Sequence, residues 1–143
     1  MRSTYVFFAS ISGFITVAMG AFAAHVLKPE FSDYQMDIYR TAVQYQMWHT
    51  LLLVLLAGLP SHRLLNWVAG LLGAGMLLFC GSLYLLAILQ IKWLGAVTPV
   101  GGVLLLAAWG LLAFLGWKQK LNHFKHVVLK RPHDKSDALP DKK

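Results

Sequence analysis

The side chains that could do chemistry in this chain are few, and most of them fall in one short stretch: Gln44, Tyr45, Gln46, Trp48, His49 and Thr50. On a helix, Thr41, Tyr45 and His49 follow one another at i, i+4 steps and share a face, while Gln46 and Thr50 share another. His25 ends an apolar run before this stretch, and Thr98 begins a later one. If the apolar runs are antiparallel helices, His25, Gln44, His49 and Thr98 come together as a shallow polar site near one membrane surface. Two imidazoles there would suit a proton relay or a small-molecule site. A metal is poorly served, because a catalytic zinc commonly takes three protein ligands. Glu30, Asp33 and Asp37 lie in a loop or at an interface, so no carboxylate stands inside an apolar run. The plainer reading makes His25 and His49 hydrogen-bonding partners between helices, with Tyr45 and Trp48 as aromatic anchors at the membrane boundary.

Other reactive arrangements do not form on paper. Ser10, Ser12 and Ser82 have no acid partner in their own runs, and no glycine follows a strand and opens a helix as phosphate loops require. Cys80 is the single cysteine, inside an apolar run, which excludes a disulfide framework and a cysteine-based metal cluster. The chain therefore reads as non-enzymatic, with no catalytic residue, metal or cofactor assigned.

The elements that must position these groups are set by where charge is missing. Of 143 residues 57% are hydrophobic and 13% charged, against about 25% charged in an ordinary soluble domain. Eight of the 13 Lys and Arg follow residue 117, and between 64 and 117 the one charged residue is Lys92. Such a stretch cannot face water. The net charge of +7 flanks apolar runs instead of covering a folded face, which argues against a nucleic-acid partner. Spanning hydrocarbon takes about 20 apolar residues, and four runs qualify: 4–24, 42–59, 64–91 and 94–117. The second is expected to extend backward as one helix through 32–40, capped by Ser32 or Asp33. The links between runs are short, so the fold class is all-α, an integral membrane bundle of four antiparallel transmembrane helices.

Arg2, Arg63 and the eight basic residues of the tail fall on one side of such a bundle, and Lys28, Arg40 and Lys92 on the other. That bias puts both termini in the cytoplasm. Arg2 followed by an apolar run and Ala21-Phe22-Ala23-Ala24 has the look of a cleavable signal. The run from Tyr5 is longer than such signals use, so the first helix is expected to be retained. Small residues recur on helix faces: Ser12, Thr16, Gly20 and Ala24; Ala69 with Gly73 and Gly70 with Ala74; Gly81 and Ser82; Gly101, Gly102, Ala107 and Ala108. These let helices approach closely within the bundle or between copies. Pro99 reads as a helix-start signal with Thr98 as its cap. The chain divides into a transmembrane domain, 1–117, and a basic cytoplasmic tail, 118–143. The tail to Arg131 reads equally as an amphipathic helix lying on anionic headgroups and as an ordinary positive stop-transfer anchor, and after Pro132 it reads as disordered.

Four segments resemble the YgdD/YwdK family, a group of small bacterial membrane proteins of unknown function. They are Gly20-Ala21-Phe22-Ala23-Ala24-His25, Thr41-Ala42-Val43-Gln44-Tyr45-Gln46-Met47-Trp48-His49, Phe79-Cys80-Gly81-Ser82-Leu83-Tyr84-Leu85 and Leu94-Gly95-Ala96-Val97-Thr98-Pro99-Val100-Gly101-Gly102. They come in the family's order within residues 13–110, and the tail lies outside the match. Ala23 stands where the family often has glycine, and Cys80 where serine is frequent. The resemblance implies four spans in a bacterial inner membrane and a family pattern that includes His25, Tyr45, His49, Ser82, Tyr84, Thr98 and Pro99. Together these readings favour a membrane protein that packs with itself as a homo-oligomer, with a larger membrane complex or with lipid. The alternative is a small oligomeric transporter or channel that uses the polar site.

Overall fold

The computed structural model describes residues 3–60 and 62–129, with side chains described as far as residue 121. Four α-helices follow in order: α1 (Ser3–Phe22), α2 (Asp33–Ala57), α3 (Arg63–Leu89) and α4 (Leu94–Leu129). No strand occurs among the described residues. With the turn that extends it, α1 is long and apolar enough to cross a membrane, as are α3 and Leu94–Leu121 of α4. The first unit of the fold ends at Leu112. From Ala113 onward α4 is described simply as helix. The expected amphipathic and disordered tail lies outside the described residues from 130 on, as do its side chains from 122.

Local chemistry sets the boundaries. Below Phe22, α1 widens into a π-helical turn over Ala23–Leu27, closed by the Lys28 N–H donating to the Ala23 carbonyl at 3.1 Å. Ser32 opens α2 through a reciprocal cap. Its hydroxyl accepts from the Gln35 N–H, and the Gln35 side chain accepts from the Ser32 N–H. Of the two caps expected, Ser32 serves. The same Gln35 donates its Nε2 to the Ala87 carbonyl at 2.9 Å, fastening the start of α2 to the end of α3. Gln90 ends α3 in the left-handed region, φ 56°, which lets the chain reverse into α4 within a few residues.

The helix start at Pro99 is corrected. Backbone bonds from the N–H groups of Leu94, Gly95 and Ala96 to the carbonyls of Ile91, Lys92 and Trp93 begin the helix earlier, and α4 runs through Pro99 without a break. Thr98 caps nothing. Its hydroxyl bonds back to the Leu94 carbonyl at 3.3 Å. A proline one turn inside a helix removes one hydrogen bond, and in a membrane protein neighbouring side chains can make that good.

Neighbouring helices are antiparallel. Tyr39 reaches the Met19 carbonyl, while farther along Thr50 reaches Ser12; Gln35 meets Ala87, and Tyr45 packs at a tilt against Phe79. A side chain at Gly13 would touch Thr50, and one at Gly20 would touch Val43, so the small face of α1 lies on α2 as expected. The tightest crossing is between α3 and α4. A Cβ on Gly101 would lie 2.7 Å from the Phe79 Cα, and one on Gly75 would lie 2.7 Å from Leu105 Cδ2. These contacts involve backbone as well as side chain, so α3 cannot easily yield.

Gly101→Ala is therefore expected to destabilise the folded protein by about 1–3 kcal/mol, the usual cost of overpacking. Gly110→Ala is the control, because nothing lies within 4 Å of the added carbon. Thermal unfolding in a mild detergent measures both, and equal transitions for the two variants would refute the crossing.

Candidate functional site: a paired polar core and an apolar cleft

α2 carries most of the buried polar side chains, and each has a partner on another helix or on its own backbone. Gln46 is 8% exposed, His49 5% and Thr50 3%. The Tyr84 hydroxyl of α3 donates to Gln46 Oε1 at 2.9 Å. Gln46 Nε2 donates in turn to the Ser12 carbonyl of α1 at 3.3 Å. The hydroxyls of Ser12 and Thr50 lie 2.6 Å apart, and Thr16 bonds back to the Ser12 carbonyl. One connected network thus ties α1, α2 and α3 together, and a buried polar group without such a partner would be costly.

His49 faces the other way. Its Nδ1 lies 2.7 Å from the Tyr45 carbonyl, which can only accept, so Nδ1 carries the proton. Nε2 is then the acceptor for the Trp109 indole N–H of α4 at 3.3 Å. Both ring nitrogens are thereby engaged. Tyr45 stacks against His49 with ring centroids 6.0 Å apart and packs on Phe79 at 4.8 Å. Between α3 and α4, the Ser82 and Thr98 hydroxyls meet at 2.8 Å, and Ser82 also donates to the Phe79 carbonyl.

The residues singled out from the sequence therefore sort into separate contacts. Tyr45 and His49 stay together, as their i, i+4 spacing requires; Ser82 pairs with Thr98; Tyr84 pairs with Gln46. His25 is exposed on the π-helical turn. Gln44 is exposed as well and borders a hollow of about 350 Å³ with Gly20, Lys28 and Arg40. The shallow site of His25, Gln44, His49 and Thr98 is not assembled, because His49 and Thr98 turn inward to bond Trp109 and Ser82. The i, i+4 relation of Gln46 and Thr50 marks their shared face in the sequence, but nothing there shows that Ser12 of α1 meets it, and Trp109 becomes meaningful only once α4 is placed. Among the described residues, no group of three or more His, Cys, Asp or Glu could hold a metal ion.

A second feature is a cleft of about 630 Å³ between α1 and α3, with α2 as its floor. Its walls are Phe8, Ile11 and Ile15 on one side and Gly70, Gly73 and Leu77 on the other. Gly70, Gly73 and Gly81 have nothing within 4 Å of an added Cβ. One end is polar: the Tyr5 hydroxyl donates to Asn66 Oδ1 at 2.7 Å, joining α1 to α3. Ser12, Gln46 and Tyr84 lie along the floor, already bonded to protein partners.

A double-mutant cycle on Gln46→Leu and Tyr84→Phe should show coupling of about 0.6–1.7 kcal/mol, the range for hydrogen bonds between membrane helices. Additive losses of stability in detergent would mean that the two side chains do not meet.

Comparison with known proteins places the chain among membrane proteins. A family model described as a protein of unknown function (DUF423) matches residues 19–102. The UPF0382 inner membrane protein YgdD of Escherichia coli K12 is 44% identical over 108 residues, covering 73% of this chain and 82% of the relative. The UPF0382 membrane protein SH2409 of Staphylococcus haemolyticus is 38% identical over 116 residues, covering 80% of this chain and 95% of the relative. No solved structure matches. The family model covers more than half of the chain and these relatives match most of it, and on this ground the chain belongs to the DUF423 family of membrane proteins of unknown function.

Proposed function

We propose that this is a four-span protein of the bacterial inner membrane, with both termini cytoplasmic, which acts by association in the membrane and not by turnover. α2 is the helix that composition alone leaves out. It begins with Asp33, Asp37 and Arg40 and carries Gln46, His49 and Thr50 farther on. Those last three side chains are buried, and their partners come from α1, α3 and α4. A helix whose polar groups bond inward and whose outer residues, such as Trp48, Leu51 and Leu55, are exposed and apolar suits the bilayer as well as its neighbours do. At about 1.5 Å per residue, its 25 residues measure roughly 38 Å, enough to cross hydrocarbon about 30 Å thick. The relatives' names support the membrane location, and the distribution of Lys and Arg supports the orientation.

The observation that carries association over catalysis is the pairing of the buried polar side chains with one another, while the surfaces left open are apolar. Both ring nitrogens of His49 have hydrogen-bond partners within the bundle, which favours a structural part for it over a proton path.

Single cysteines in a Cys80→Ser background test the topology. A membrane-impermeant maleimide applied to intact cells stripped of their outer layers is expected to label Glu30→Cys and Lys92→Cys, and to reach Ser61→Cys after lysis alone. Labelling of Glu30→Cys and Ser61→Cys from the same side would show that α2 does not span. Native mass spectrometry of the protein released in mild detergent should find it with copies of itself, another subunit or bound lipid. A bare monomer, with every membrane complex unchanged on deletion of the protein, would overturn association.

A further inference from the structure

The α1–α3 cleft, about 630 Å³, is larger than the hollow of about 350 Å³ beside Gln44, and its length and lining narrow what can occupy it. From Tyr5 to Met19, both of which line it, the helix rises about 21 Å at ~1.5 Å per residue. The cleft is elongated and lined mainly by apolar residues, the shape and chemistry of a polymethylene chain, and the hydrocarbon of one leaflet is about 15 Å deep, within the cleft's length.

The lining has matching chemistry. Its walls are aliphatic, aromatic or bare glycine, and the polar atoms on its floor are bonded to protein: Ser12 to Thr50, and Gln46 to Tyr84. Nothing along the middle of the cleft asks for a polar ligand. Its polar end is different. Asn66 and Tyr5 meet there, and Arg63 opens α3 one turn before Asn66 on the same helix face. Arg63 is exposed and belongs to the positively charged side of the bundle. Basic residues at that level attract anionic phospholipid headgroups.

We propose that the α1–α3 cleft holds one acyl chain of a membrane phospholipid, with an anionic headgroup at the end marked by Tyr5, Asn66 and Arg63. This deepens the reading above by naming lipid as the associated molecule, and it rests on the membrane-spanning part of that reading. Gly70 and Gly73 then have a definite role. They widen the cleft where a side chain would fill it, whereas Gly75 and Gly101 close the α3–α4 crossing.

The test uses the full-length protein in nanodiscs containing phosphatidylglycerol with a photoreactive group on its acyl chain. Crosslinks in the unaltered protein are expected to concentrate on the α1 and α3 walls, near Ile11, Ile15 and Gly73. Crosslinks spread evenly over all lipid-facing surfaces, including Val103 and Leu106 of α4, would overturn the site without requiring any mutant to fold. Gly73→Phe should lower cleft labelling about tenfold, equivalent to about 1.4 kcal/mol of affinity, while Gly110→Phe should not. Equal labelling in the two would also overturn it. Arg63→Gln should reduce the preference for phosphatidylglycerol over phosphatidylcholine of the same chains about fivefold, as expected for one basic residue near a headgroup; an unchanged preference would refute the headgroup assignment. Loss of the lipid site with the cysteine-labelling pattern intact would remove this inference and leave the topology standing.

Discussion

Inside a bilayer a polar group has no water to fall back on, so it must find its partner in the protein. In this fold that requirement falls on α2. Gln46 and Thr50 point toward α1 and α3, and His49 points toward α4, so the second helix is held from several sides by hydrogen bonds that only its neighbours can supply. The other helices contribute what α2 needs: Ser12 from α1, Tyr84 from α3 and Trp109 from α4. Their faces toward one another are otherwise made of small residues and aliphatic chains. Such hydrogen bonds are individually modest, but they fix rotation about the helix axis, which apolar packing alone leaves loosely defined.

This explains why the most polar helix occupies an interior position. A composition measure sees Asp33, Asp37, Arg40 and the glutamines and scores α2 below its neighbours. The charged residues Asp33, Asp37 and Arg40 cluster at its start; Gln46, His49 and Thr50, deeper in the helix, are turned inward, whereas Gln44 is exposed. Low hydropathy in this helix and its burial among the others have the same physical cause.

Much of the architecture was legible in the sequence because it follows from periodicity and from where charge is absent. The four helices, their short links and the extension of α2 back to Ser32 all come from that pattern. The separation of the Tyr45–His49 face from the Gln46–Thr50 face needs no more than 3.6 residues per turn. Rotation of one helix against another was not legible. His49 and Thr98 could face a shared site near the membrane surface or turn toward Trp109 and Ser82, and local sequence is the same in both cases. The glycines pose the same difficulty. Gly101 and Gly73 look alike on a helical wheel, yet one lies against the α3 backbone and the other opens a cleft, a difference made entirely by what stands opposite. Pro99 misled for another reason: a proline normally marks a helix start, but here the helix had already begun at Leu94.

The central claim is that α2 belongs within the membrane as the polar hub of the bundle. Hydrogen–deuterium exchange of the protein in nanodiscs, resolved along residues 33–57, tests it most directly. Exchange is expected in the first turns of α2, with protection from Ala42 to Ala57 matching that of α3. Exchange of that whole helix at the rate of the loop after Ala57, with α1, α3 and α4 still protected, would show α2 lying outside the bilayer and would contradict the account.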